Sequence, residues 1–169
     1  MKLPSSLLKA LNAQVNAELS ASYHYLGMSA YFEKQSLPGF AAWFRAQSDE
    51  ETVHGMKIYD FIHRRDADVQ LTDISAGKQS FQSAEDVVAT ALKMEQAVTA
   101  QIEAIHALAV KEGDAATQNL MNWFIEEQVE EEESMRDLLE QVSAAAGDRW
   151  RLLYLDGQLP AREAAADAE

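Results

Sequence analysis

Asn122-Trp123-Phe124-Ile125-Glu126-Glu127-Gln128-Val129-Glu130-Glu131-Glu132-Glu133-Ser134-Met135 lies inside a stretch, Ala115 to Ala146, that has neither glycine nor proline. Its composition is that of a helix. Met121, Phe124, Gln128, Glu131, Met135, Leu138 and Val142 recur at alternating spacings of 3 and 4, the stripe a helix turns toward a core. Four consecutive helix residues step through about 400°, so one of Glu130 to Glu133 must face inward, and the stripe selects Glu131. A carboxylate in an apolar stripe needs a partner elsewhere in the chain.

Outward from this segment the punctuation is clear. Gly113-Asp114 and Gly147-Asp148 each pair a helix C-cap with the N-cap of the next helix. Ser83, with Asp86 three residues on, opens a helix that reaches Glu112. Leu37-Pro38-Gly39 is a tight turn, with Pro38 suited to a first helical turn. Ser5-Ser6 after Pro4 reads as the first cap. The expected helices are 5–35, 38–65, 84–112, 115–146 and a short 149–159, followed by an Ala-rich acidic tail, 161–169, expected to fray. The chain reads as one domain over 1–169. Tight turns make the first two and the last two long helices antiparallel pairs. The connection between the pairs has about 18 residues and spans about 60 Å when extended. A helix of 28 residues is about 42 Å long, so this connection can run the whole length of a bundle. The fold class is all-α, a four-helix bundle with one long crossover between helices two and three and a short fifth helix.

The other stripes repeat the pattern. Helix one carries Leu8, Leu11, Val15, Glu18, Ser22, Tyr25, Ser29 and Phe32. Helix two carries Phe40, Phe44, Gln47, Glu51, His54, Ile58 and Phe61; helix three carries Val88, Ala91, Glu95, Val98, Ile102, Ile105 and Ala109. Each is apolar at both ends and ionisable within. Glu18, Glu51, Glu95 and Glu131 lie near the helix midpoints, within roughly 5 Å of one level at 1.5 Å rise per residue. Four carboxylates converging in a dry core are unfavourable by several kcal/mol each, and divalent cations relieve that cost. Glu51 and His54, three apart, share one helical face and suit a common ion. Oxygen ligands with one imidazole fit Fe(II), Mn(II) or Zn(II) without choosing among them. His24, His63 and His106 fall off the stripes and are expected at the surface.

The balance of 28 acidic against 14 basic residues, net −14, argues against nucleic acid and anionic membranes as partners. There is no cysteine, which excludes thiolate metal sites and Fe–S clusters. The first residues, broken by Lys9, Asn12 and Gln14, do not form a signal-peptide core, and no run of about 18 apolar residues occurs. The expected location is the cytoplasm.

Taken together, Glu18, Glu51-Thr52-Val53-His54, Glu95 and Gln128-Val129-Glu130-Glu131 resemble the bacterial non-haem ferritins over nearly the whole chain. The resemblance implies a ferroxidase that oxidises Fe(II) with dioxygen or hydrogen peroxide and stores Fe(III) as a mineral inside a twenty-four-subunit cage. It implies that Glu18, Glu51 and His54 hold a first iron, and that Glu51 bridges to a second held by Glu95 and Glu131. Gln128 would orient dioxygen or water, and Tyr25 would take part in electron transfer. Glu50, Glu127 and Glu130 match a third iron site. Bacterioferritins carry Glu-x-x-His on the fourth helix and a haem-binding Met after the bridging Glu. Here those places hold Gln128, Glu131 and Thr52, so no haem is expected. Two rival readings use the same residues: another di-iron oxidase or oxygenase, and a non-catalytic helical bundle.

Overall fold

The structure, a computed structural model, describes residues 2–159. The expected tail, 161–169, lies outside the described residues. The elements are α1 (Ser5–Lys34), α2 (Pro38–Arg64), α3 (Ala84–Glu112), α4 (Ala115–Ala145) and α5 (Arg149–Gln158), and no strand occurs among the described residues.

The caps follow from the sequence at three of the helix starts. Ser83 accepts from the Asp86 amide, Asp114 from Thr117, and Asp148 from Trp150 and Arg151. Gly113 closes α3 in the left-handed region at φ 68°, where a Cβ would be strained. The first start differs from the expectation. Ser5 is already helical, Pro4 is the N-cap, and no side chain caps the end. The Pro4 carbonyl accepts from Leu8 N at 2.9 Å, and Ser6 Oγ donates to Glu112 at 2.8 Å instead. The serine that reads as a cap therefore ties the start of α1 to the end of α3.

α1 packs along α2 and α3 along α4, and α1 also lies against α3. Ser6 meets Glu112 and Tyr25 meets Glu95, so α1 and α3 are antiparallel and α2 and α3 run the same way. The crossover makes this possible by running up the outside of α1. Asn12 donates to the Asp68 carbonyl and accepts from Gln70 N. Asn16 donates to the Gln70 carbonyl and accepts from Thr72 N, these four bonds spanning 2.6–3.2 Å. Higher up, His24 Nε2 lies 3.0 Å from the Ser75 carbonyl and Phe81 packs edge-on to Tyr31. Two side-chain amides thus satisfy crossover backbone that has no strand or helix to pair with.

Two apolar clusters fill the bundle. One is built on Phe32, Phe40, Phe44, Val88 and Met135, the other on Leu7, Leu11, Ile58, Ile102 and Phe124. Between them lies a buried polar layer of Glu18, Gln47, Glu51, His54, Glu95, Gln128 and Glu131. α5 closes one end: buried Asp156 accepts from Phe40 N at 2.8 Å at the start of α2, and a Cβ on Gly39 would collide with the Asp156 carbonyl. At the other end Arg65 holds Asp114 through two bonds, 2.9 and 2.6 Å.

Candidate metal centre

The four stripe glutamates do meet. Glu18, Glu51, Glu95 and Glu131 are each no more than 2% exposed, and His54 is 3% exposed. Ligand atoms of Glu18, Glu51 and His54 all lie within 4.8 Å of one another. His54 Nδ1 stands 3.6 Å from Glu51 Oε2, the bite expected of residues three apart on one helix. The edges of Trp123 and Phe124 pack on the imidazole, with centroids at 5.5 and 5.8 Å, and limit its tilt.

Glu95 and Glu131 face this trio from α3 and α4, each held by neutral donors. Tyr25 OH donates to Glu95 Oε1, and Gln128 Nε2 donates to Glu95 Oε2 at 3.2 Å. Gln47 Nε2 donates to Glu131 Oε2 at 3.2 Å. Glu18 is treated differently. Its Oε1 accepts from Gln14 at 2.9 Å, while its buried Oε2 meets no amide or hydroxyl donor among the described residues, and the acid beside it is Glu51.

The electrostatics follow the geometry. Burial raises the Glu18 carboxyl to about 6, against the relief given by Glu51 and Gln14. Burial likewise pushes Glu51 well above the ordinary carboxylate range, and Glu95, Glu18 and Glu131 add repulsion. Tyr25 is pushed far up by burial and then by Glu95, so it stays a protonated donor. An ion between the carboxylates removes the cause of these shifts, because it replaces the lost water with a matching charge.

A second group adjoins the first. Ligand atoms of Glu50, His54 and Glu127 also lie within 4.8 Å of one another, on the side where α2 faces α4. Glu127 is raised by partial burial, then by Glu130 and Glu50, against the pull of Lys57. Glu130 is exposed and stands outside this trio, although its charge reaches Glu127. Of the other histidines, His63 is exposed, His24 and His106 are partly buried, and none joins a cluster.

Residues 8–145 match the family described as Ferritin-like domain. The chain is 37% identical to a bacterial non-heme ferritin of Staphylococcus aureus over 160 residues, 95% of this chain and 96% of that one. The chain belongs to the ferritin family. A bacterial non-heme ferritin of Staphylococcus haemolyticus is 38% identical over 95% of this ferritin and 96% of its own length. An open pore ferritin from Archaeoglobus fulgidus superposes with a TM-score of 0.93 at 35% identity, covering 96% of this chain and all of that one. A humanized archaeal ferritin gives 0.95 at 35% identity, over 98% and 100% of the two chains. The five helices and their connectivity are thus those of known ferritins.

Some of this ferritin's site partners lie off the stripes of the long helices. Gln14 is one turn before Glu18, and that i, i+4 spacing was the available signal. Thr99, one position past the Val98 of the stripe, receives a bond from Gln128 at 3.3 Å and donates to Glu132 at 2.7 Å. Trp123 lies beside the stripe, and Lys57 Nζ covers its ring at 3.9 Å.

Proposed function

We propose that this ferritin binds Fe(II) in its buried carboxylate layer, oxidises it there, and stores Fe(III) as a mineral inside a homo-oligomeric cage of 24 chains. The observation that carries the reading is Glu18: a buried carboxylate whose Oε2 meets no amide or hydroxyl donor and whose neighbour is a second buried acid, Glu51, in a group with His54 whose ligand atoms lie within 4.8 Å. A buried acid left so bare favours a cation over a proton near neutral pH.

Glu18, Glu51 and His54 take one Fe(II). Glu51, shared with Glu95 and Glu131, takes the second. Each Fe(II) gives one electron, and dioxygen takes the pair and leaves with two protons as hydrogen peroxide. Peroxide, serving as oxidant in its turn, accepts two electrons from a further pair of Fe(II) and leaves as water. Carboxylates favour the harder, more highly charged Fe(III), which drives the oxidation. Fe(III) then hydrolyses, releases protons and leaves as oxyhydroxide. Tyr25, bonded to Glu95, sits where it can give an electron, and Gln128 beside the same carboxylate orients oxygen or water. Glu50, Glu127 and Glu130 hold a third iron beside the pair; ligand atoms of Glu50 and Glu127 already converge with His54, and Glu130 would have to swing in from solvent to complete it.

Anaerobic Fe(II) titration followed by aerobic gel filtration tests this. Two tightly bound Fe(II) per chain, fast oxidation, and a very large particle keeping many irons per chain are expected. A small particle, or no stoichiometric Fe(II), overturns the reading.

A further inference from the structure

The Glu50–His54–Glu127 group opens between α2 and α4. A separate cavity of about 220 Å³ opens between α3 and α4. Its walls are Ile102, Ile125 and Val129, and its floor is Thr99 and Gln128. That floor is one hydrogen bond from the carboxylate layer, because Gln128 Nε2 donates both to Thr99 Oγ1 at 3.3 Å and to Glu95 Oε2 at 3.2 Å. At the mouth Glu132 is already engaged, accepting from Thr99 at 2.7 Å and from Arg136 at 3.0 Å.

These walls suit a small apolar molecule better than a cation. Branched aliphatic side chains offer no ligand atoms. Glu132 has its charge matched by Arg136, and Glu103 is the one other carboxylate lining the groove, too few for a chelate. The Glu50–His54–Glu127 trio, on α2 and α4, is not part of the groove lining. A hydrated cation would also have to shed its water against isoleucine and valine, whereas dioxygen loses nothing there.

We propose that the α3–α4 groove is the access route for dioxygen, with Gln128 as the gate between the groove and Glu95, so that oxidant and Fe(II) reach the layer from different faces. The inference rests on the ferroxidase reading given above. It assigns Val129 as a residue lining that route, since this exposed side chain borders the groove and is no member of the buried carboxylate layer.

Two measurements on the assembled protein test it. Val129→Trp fills the groove from its exposed side, with Val129→Ala as the conservative partner. Val129→Trp is expected to raise the KM for dioxygen by about tenfold or more, with anaerobic Fe(II) stoichiometry and the KM for Fe(II) unchanged; Val129→Ala should keep wild-type values. Xenon-pressurised crystals should show xenon in the wild-type groove and none in Val129→Trp. A wild-type KM for dioxygen in a folded Val129→Trp protein, or a groove without xenon, overturns the route while leaving the ferroxidase reading in place. Failure of the wild type itself to oxidise Fe(II) removes that reading and the route together.

Discussion

Glu18 and Glu95 sit at one level of the bundle, each 1% exposed, yet their surroundings differ. Glu95 is met by the Tyr25 hydroxyl and the Gln128 amide, and Glu131 beside it by Gln47. Glu18 has one amide, from Gln14, and otherwise only a second buried acid, Glu51, beside it. The α3–α4 half of the layer is prepaid in hydrogen bonds; the α1–α2 half is left needing positive charge. A single buried layer thus combines a scaffold that holds its shape without metal and a seat that is unfavourable until an ion fills it.

The sharpest way to break this contrast is to delete one carboxylate from each half. Glu95→Ala should destabilise the metal-free protein by about 1–3 kcal/mol, because it orphans the buried Tyr25 hydroxyl and leaves a cavity, while the Gln128 amide keeps the Glu95 backbone carbonyl and Thr99. Glu18→Leu should stay within about 1 kcal/mol of the wild type, since relief of an unfavourably buried acid offsets the loss of the buried Gln14 amide's partner. Both should lose rapid Fe(II) oxidation by about a hundredfold or more. Denaturation with chelator present and stopped-flow oxidation read the two effects separately. Equal destabilisation by both substitutions would erase the distinction between the halves.

The pH dependence should show the same contrast against the far end of the bundle. Glu18 is raised to about 6 in the folded chain against 4.5 as its ordinary value, and Glu51 is raised further. An acid raised on folding is a cost once the unfolded chain ionises. The penalty is absent below about pH 4.5 and grows as pH rises through 6, worth roughly 2 kcal/mol from Glu18. Asp114 runs the other way. Arg65 holds its carboxyl far below 3.8, so its contribution is complete above that value and disappears as pH falls further. Metal-free Tm should therefore fall from pH 5 to pH 7, and Zn(II) should reverse the fall while releasing protons at pH 6. A metal-free Tm that rises over that range would contradict the raised carboxyls.

Asp114→Ala should cost about 1–3 kcal/mol, losing both the Arg65 pair and the cap on Thr117, while leaving the oxidation rate per bound iron unchanged. The smallest effect is expected at Gly55, which lies beside His54 on α2. A Cβ there would meet Glu18 Cβ and Leu19 Cδ2 at 3.4 Å, ordinary contact distances. Gly55→Ala should gain up to about 1 kcal/mol from helix propensity and hold the oxidation rate within about twofold, measured by Tm and stopped flow.

The sequence disclosed what has a period. Helix limits came from Pro38, Ser83, Gly113-Asp114 and Gly147-Asp148, and the inward glutamates from stripes spaced by 3 and 4. Contacts that depend on side-chain reach were not legible. Asn12 reads as a break in an apolar segment, whereas together with Asn16 it carries the crossover. Ser6 resembled a cap because nothing local announces a partner 106 residues away. Glu130 and Glu131 are neighbours of the same type. One helical step of about 100° buries the second and leaves the first in water, a distinction that only the stripe reveals.

The asparagine ladder along α1 has a consequence for how the two helical hairpins are aligned. The bonds engage Asp68, Gln70 and Thr72, alternate residues of an extended strap, so the strap cannot slip by a single residue without losing its partners. It acts as a ruler laid between the hairpins, metering how far α3 starts along α1. A residue inserted at 68–72 would be more than harmless slack, because it would shift the gauge that sets Glu95 opposite Glu18.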